Sequence, residues 1–263
     1  MAKTAFHDPE LGDLTDDHIT RDYWVFQRKK GHRYSSDDLS TAYVASLAAP
    51  GARLLLDLGC GLGSVLLFMA WKIPEARVFG IEAQSVSYAL LRRNVERNGL
   101  TERVETFHGD LRDQAIVEQV GAFPEVSTNG GFDLITGTPP YFPPGHAEDA
   151  LDEQRAYARI EYRGGVEAYI ETAAKLLSPK GTFVVCGAAA SEGRVQKSAA
   201  EHAFFVVGRC DIIAREGRPA LFSIWTLRRT PEPLQVTYLT LRDADGNTTE
   251  DAATLKRFSG LIP

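Results

Sequence analysis

From Arg53 onward the hydrophobic and polar positions switch repeatedly between two periods. "RLLLDLG" is a short apolar run ending in glycine, the pattern of a strand buried on both faces. "SVLLFMAWK" is long enough for a helix and is stopped by Pro74. "RVFGIEA" is a second strand. "SVSYALLRRNVERNG" is an amphipathic helix with a glycine stop at Gly99. "RVETFHGD", "QAIVEQV" and "FDLITG" continue as strand, short helix and strand. "GGVEAYIETAAKLL" reads as a helix ended by Ser178-Pro179-Lys180-Gly181, then come strand "TFVVCG" and helix "GRVQKSAAEH". "AFFVVGRCDII" and "ALFSIWTLRR" follow each other with no helix between, which predicts an antiparallel pair at the sheet edge. "LQVTYLTLRDADGNTTEDAATLKRF" reads as a strand, a turn at Asp245-Gly246 and a short helix. Strands alternating with helices mean βαβ units: an α/β fold with a mostly parallel sheet covered on both faces.

Before Arg53 the pattern is weaker. Residues 1–20 are polar and acidic and predict a loose arm. In "RDYWVFQRKKGHRYSSDD" basic residues interleave with Tyr23, Trp24, Phe26 and Tyr34, and Ser36 or Asp37 is placed to cap a helix from about Leu39 to Leu47. The chain therefore divides into an N-terminal arm and covering segment (1–50), a main domain (51–230) and a C-terminal extension packed on it (231–263). At 263 residues, 44% hydrophobic and 24% charged, it can bury one sizeable core. A net charge of −6 weighs against a nucleic-acid partner unless a local basic patch exists. Cys60, Cys186 and Cys210 have no disulfide or metal spacing, which suits a reducing compartment and a cytoplasmic location. The first residues carry no apolar signal-peptide core, and no run is long enough to span a membrane. The histidines at positions 7, 18, 32, 108, 146 and 202 are scattered, so no metal site is expected.

Chemistry-bearing residues gather at the predicted strand ends. The first strand ends in "DLGCGLGS", with Asp57 followed by Gly59, Gly61 and Gly63; the second ends at Glu82, the third at Asp110 and the fourth at Thr138. In an open parallel sheet, ligands bind beyond these ends. A glycine triplet alone is equally a tight turn, and an acid after a strand is commonly a helix cap. The loop lacks G-x-G-x-x-G, and no Lys-Ser/Thr follows, so it is no phosphate fingerprint. A loop that opens with an acid suits a cationic ligand. After the fourth strand, Thr138-Pro139-Pro140-Tyr141 forms a stiff turn, since neither proline can donate to a ladder.

Together "LLLDLGCGLGSV", "GIEAQ", "HGDL" and "TPPY" resemble the class I methyltransferases that use S-adenosylmethionine. The resemblance implies a Rossmann-like seven-stranded, mostly parallel sheet. It implies that Asp57, Gly59, Gly61 and Gly63 face the cofactor's methionine part, that Glu82 and Ala83 hold its ribose, and that Asp110 and Leu111 lie near its adenine. Amino-methyltransferases of this kind carry Asn/Asp/Ser-Pro-Pro-aromatic where this chain has Thr138, Pro139, Pro140 and Tyr141. An exocyclic nitrogen is a poor nucleophile; a side-chain oxygen and a proline carbonyl accept its two hydrogens and aim its lone pair, while the aromatic ring stacks on the acceptor. Thr138 departs from the pattern: its hydroxyl can accept one hydrogen bond, and its branched side chain is restricted in rotamer.

One branch fits further: the bacterial-type tRNA (adenine-N6) methyltransferases that modify valine tRNA. "KKGHRYSSDDLSTAYVA" resembles that branch's G-Y-R-F-S-x-D-x-x-L-L-A segment, which closes over the cofactor and implicates Arg33 and Tyr34. The segments "RRNVERNGLTERVETFHGDLRD", "QRAYAR" with Arg155 and Arg159, and "REGRPALFSIWTLRR" extend the likeness over about residues 28 to 258. It implies an RNA substrate, tRNA above all. The residues themselves leave two alternatives: "QRKKGHRY", Arg155, Arg159 and Arg163 form a basic rim around the crevice, or they are solvated surface charges. The other readings are a methyltransferase for a protein glutamine or a small molecule, and a cofactor-binding partner subunit without activity.

Overall fold

The computed structural model describes residues 4–145 and 152–262; His146 and residues 1–3 of the arm lie outside these. In chain order the elements are β1 (Thr4–Asp8), β2 (Gly12–His18), β3 (Trp24–Arg28), α1 (Ser36–Ala48), β4 (Leu54–Leu58), α2 (Ser64–Lys72), β5 (Arg77–Glu82) and α3 (Ser85–Arg97). They continue as β6 (Val104–His108), α4 (Gln114–Gly121), α5 (Pro124–Asn129), β7 (Phe132–Gly137), α6 (Glu153–Arg159), α7 (Val166–Leu176) and β8 (Leu177–Ala188). The last are α8 (Glu192–Glu201), β9 (Phe205–Ile213), β10 (Phe222–Arg228), β11 (Gln235–Thr240) and α9 (Glu250–Phe258).

The main sheet runs β11-β9-β10-β8-β7-β4-β5-β6. Neighbours among β8, β7, β4, β5 and β6 are parallel, and β10 is antiparallel to both β8 and β9, as the missing helix foretold. The sheet has eight strands rather than seven, because β11 pairs parallel with β9 from Gln235 to Thr240. β8 starts directly at Leu177, so Ser178-Pro179-Lys180-Gly181 lies within a strand rather than a turn; its register against β7 shifts between Phe132 and Leu134.

Strand side chains alternate between two cores, as the two-residue period requires. Leu55, Val78, Leu134 and Val184 face α1, α2 and α3. Leu54, Leu56, Leu58, Phe79, Ile135 and Phe183 face the α7 and α8 side. α9 closes the first core, with Phe258 edge-on to Tyr43 and beside Phe68.

The N-terminal arm is not loose. β1, β2 and β3 form an antiparallel three-stranded sheet with Leu14, Ile19 and Val25 fully buried beneath it. Its acidic composition misleads because the acids are neutralised. Asp17 pairs with Arg33 (2.8 Å), Asp16 with Arg97 (3.2 Å), and Asp8 with Arg93. The open edge of β3 is also satisfied by side chains. On α3, Asn94 Oδ1 accepts from Phe26 N–H (2.7 Å) and its Nδ2 donates to Phe26 C=O (3.2 Å); Asn98 does the same for Trp24 at 2.8 and 2.8 Å. Residues four apart on a helix face thus meet residues two apart on a strand, and two side-chain amides stand in for a missing β-neighbour. Asn94 Nδ2 also donates to Leu62 C=O (2.8 Å), tying this sheet to the glycine loop.

Asn94→Ala leaves buried backbone groups unpaired, at about 1–3 kcal/mol each in other proteins. The expected result is a loss of about 3 kcal/mol in urea unfolding, with new proteolytic cleavage within residues 4–30. A variant with the parent midpoint would show that the amide ladder carries no stability.

Candidate active site at the strand ends

The parallel strands deliver their ends to one crevice. Gly59, Cys60 and Gly61 follow β4; Glu82 and Ala83 end β5; Asp110 and Leu111 follow β6; Thr138 and Pro140 follow β7. All of these line it. Asp57 lies directly below, 3% exposed.

The three glycines have different reasons. All have positive φ, at +58°, +57° and +92°. A Cβ at Gly59 would sit 2.1 Å from Tyr169 Oη, and one at Gly137 would sit 2.6 Å from Tyr169 Cδ1, so these two glycines make room for a tyrosine from α7. A Cβ at Gly63 would meet Leu91 Cδ1 at 2.7 Å. Only at Gly61, of the three, does a Cβ meet nothing within 4 Å: it faces open crevice beside an N–H that donates to Glu82.

Carboxylates dominate the crevice. Glu82 Oε2 accepts from Gly61 N–H (2.9 Å) and Oε1 from Gln84 N–H (2.6 Å). Burial raises Glu82 above its ordinary value; the two backbone N–H groups and the nearby Arg163 offset part of this. Asp38, on α1, is pushed well up by burial and then by the neighbouring Asp37 charge; its Oδ2 accepts from Ser35 N–H (3.0 Å). Asp57 Oδ1 accepts from Thr136 Oγ1 (2.8 Å), and the Leu66 N–H also supports the buried carboxylate. Burial pushes Asp57 up to about 7. Asp110 is different: against the cost of partial burial, Arg112 grips both its oxygens (2.9 and 2.7 Å) and holds it below its ordinary value.

Asp57 binds its proton more tightly in the folded chain than in the unfolded one. Its contribution to stability is therefore complete below the ordinary carboxylate range and is lost as pH rises from about 4 to about 7. Asp57→Asn is expected to raise the Tm of the ligand-free protein at pH 8 and to change it little at pH 4. An unchanged difference between variant and parent across that range would show that Asp57 ionises as freely folded as unfolded.

The proline turn is held from two directions. The N–H groups of Tyr141 and Phe142 donate to Arg159 C=O at 3.2 and 3.0 Å. Tyr141 is half-buried against the α1 side of the core; its hydroxyl lies 2.9 Å from Asp37 Oδ2 and 2.9 Å from Cys186 Sγ. Thr138 and Pro140 line the crevice, and Tyr141 packs behind it.

Arg33 and Tyr34 are not in the crevice. They line a separate hollow beside Asp17, His18 and Trp24. Arg33 is drawn there by the buried Asp17 carboxylate (2.8 Å) and Thr15 Oγ1 (3.0 Å), and Tyr34 N–H donates to Gln27 Oε1 (3.2 Å). The residues of this segment that do line the crevice are His32 and Asp38, joined by Arg163 and Tyr169 from farther along the chain. Of these, only Arg163 stands out in the sequence, as a rim charge: Tyr169 falls inside the helical run "GGVEAYIETAAKLL", and Asp38 follows the cap candidates Ser36 and Asp37.

The two basic segments do converge. Arg28 pairs with Asp152 (2.9 Å), and Gln154 Oε1 accepts from His32 N–H (3.3 Å). Lys29, Lys30, Arg155 and Arg159 are exposed on these joined segments. Among the described residues no cluster of potential ligands could hold a metal, and no helix is long and apolar enough to cross a membrane. Cys60, Cys186 and Cys210 are free and buried.

Residues 55–159 match the family described as "Methyltransferase domain". The chain is 30% identical over 198 residues to a Yersinia pestis protein named "tRNA1(Val) (adenine(37)-N6)-methyltransferase", covering 74% of each chain. It is 35% identical over 130 residues to a Porphyromonas gingivalis protein of the same name, where the match spans 49% of this chain and 48% of the relative, about half its length. Among solved structures it resembles a "predicted O-methyltransferase" of Agrobacterium tumefaciens (TM-score 0.63, 17% identity, 86% of this chain and 97% of that one). It also resembles P. horikoshii TYW2 in complex with MeSAdo (TM-score 0.53, 15% identity, 82% and 72%).

Proposed function

The chain belongs to the class I S-adenosylmethionine-dependent methyltransferases, and we propose that it methylates an exocyclic amine, adenine N6 in tRNA. S-adenosylmethionine is its methyl donor. The residues fit that cofactor. Asp38 and Glu82 line the crevice and Asp57 is buried next to its glycine loop, three carboxyl groups that burial keeps from ionising freely and that a cationic ligand would favour in their charged form. Such a site suits a ligand bearing an ammonium and a sulfonium. When bound, the cofactor supplies an electrophilic methyl group.

In this reading Glu82, with Ala83 beside it, holds the ribose hydroxyls through the lone pairs that Gly61 and Gln84 leave open. Gly61 lets the backbone approach, and Asp57 and Asp38 balance the cationic end. Leu111 and Asp110 border the adenine. The observation that carries the acceptor assignment is that Thr138 and Pro140 share one crevice with Gly61 and Glu82. The Thr138 hydroxyl oxygen and the Pro139 carbonyl would accept the amine's two hydrogens and aim its lone pair. Tyr141 packs behind the crevice with its hydroxyl tied to Asp37 and Cys186, so the stacking role expected of it would need the base to reach past Thr138 and Pro140. A base in a folded tRNA must leave its stack to reach this turn. The names of the Yersinia and Porphyromonas relatives support tRNA, as does the exposed basic group at Lys29, Lys30, Arg155 and Arg159.

The test is methyl transfer from labelled S-adenosylmethionine to unmodified tRNA, followed by nucleoside digestion. Labelled N6-methyladenosine is expected, with tRNA affinity falling as salt rises. Label in protein alone would move the acceptor to a side-chain amide. Thr138, standing where the family pattern has Asn, Asp or Ser, favours one second reading, a non-catalytic partner subunit. Cofactor binding without any turnover would select it.

A further inference from the structure

The acceptor turn contains no group that readily takes a proton. A carbonyl and a hydroxyl can orient an amine, but once its nitrogen is methylated the excess proton must leave. One imidazole lines the same crevice. His32 lines it together with Thr138 and Pro140. Its surroundings locate it on the acceptor side. The charges that face it are Asp37 of α1 and Arg155 and Arg159 of α6. Asp37 is the residue that accepts from the Tyr141 hydroxyl, and Arg159 is the residue whose carbonyl holds the Tyr141 and Phe142 N–H groups. The backbone at His32 is fixed by Gln154 (3.3 Å), which in turn donates to Ser87 Oγ (3.1 Å). No hydrogen bond from the ring itself is found among the described residues.

We propose that His32 is the proton acceptor of the methyl-transfer reaction. The inference rests on the amine-methylation reading above. The amine lone pair forms the new N–C bond, and the S–CH3 bond breaks with its electrons passing to sulfur. The nitrogen then carries a positive charge and its two original hydrogens. One of these passes to a ring nitrogen of His32, leaving a neutral secondary amine, and the imidazolium then loses it to water. Burial, with Arg155 and Arg159, holds the ring below its ordinary value against the opposing pull of Asp37, so it is neutral at physiological pH. His32 also stands where the related segment G-Y-R-F-S carries tyrosine, a group that is no base near pH 7. This chain therefore differs at both Thr138 and His32, and both differences face one crevice.

The experiment is single-turnover methylation of unmodified tRNA at saturating cofactor, from pH 5 to 9, with the parent, His32→Gln and His32→Ala, and cofactor Kd measured in parallel. The parent rate should fall on the acid side as the imidazole is protonated. His32→Gln should lower the plateau about a hundredfold, the lower end of general-base contributions, and abolish that acid limb with cofactor Kd unchanged. Added imidazole should restore part of the rate to His32→Ala. A Gln variant that keeps the parent rate and acid limb overturns the proposal. So does an Ala variant that binds cofactor normally but is not rescued by imidazole. A parent protein that labels no amine overturns the function reading, and the role of His32 with it; label in the parent with an indifferent Gln variant sinks the proton acceptor alone.

Discussion

Replacing Glu82 with alanine is expected to weaken S-adenosylmethionine binding about a hundredfold. Two hydrogen bonds from a ribose to an ionised, buried carboxylate are together worth roughly 3 kcal/mol, which is about two decades in Kd. Glu82 is 5% exposed, and the Gly61 and Gln84 N–H groups hold both its oxygens in place. The ligand therefore loses a preorganised partner rather than a mobile one, and little entropy is recovered on deletion. The same change frees Gly61 N–H and Gln84 N–H, but both border the crevice, where water can reach them. The fold should survive with a modest fall in Tm. Calorimetric titration on parent and variant checks the result. An unchanged Kd would mean that the ribose lies elsewhere, and the assignment of this crevice would fall with it. Asp57→Asn should weaken binding less, because Asn keeps the bond to Thr136 and removes only a charge that burial has already made costly.

What could be read from the chain follows from how far each signal depends on neighbours in sequence. Leu54 to Leu58, Arg77 to Glu82 and Phe132 to Gly137 read correctly as strands because a strand buried on both faces needs an unbroken apolar run. Their ends converge for a topological reason. Parallel strands present all their carboxyl ends on one side, so Glu82, Asp110 and Thr138 had to meet. β1, β2 and β3 were not legible, because the buried positions of β2 and β3 include Thr15, Asp17 and Gln27, which become core residues only through hydrogen bonds to one another and to Arg33. The same pairing draws Arg33 out of the crevice. β11 escaped placement because the choice of β9 as neighbour is a tertiary one. His32 and Asp38 were visible as letters, but their approach to the glycine loop depends on Gln154 and Ser35, and no periodicity reports that.

Removing the Thr138 hydroxyl should reduce turnover about as much as removing one preorganised partner does in other active sites, a factor on the order of a hundred. Thr138→Val makes the cleanest comparison, since it keeps the branched shape and deletes only the oxygen. The amine would then have the Pro139 carbonyl alone to orient it, and the lone pair would sweep a wider cone around the methyl group. The turn itself should not relax. Both prolines fix their own φ, and Arg159 C=O still holds Tyr141 and Phe142. Cofactor Kd should stay at the parent value, which separates this change from Glu82→Ala. Thr138→Ser, retaining the oxygen but gaining rotamer freedom, should lose only a few-fold. Single-turnover rates with saturating tRNA decide it. If the valine variant methylates at the parent rate, the hydroxyl orients nothing and the carbonyl of Pro139 must suffice. If parent and variant are equally inert while both bind cofactor, Thr138 marks a crevice that holds S-adenosylmethionine without using it.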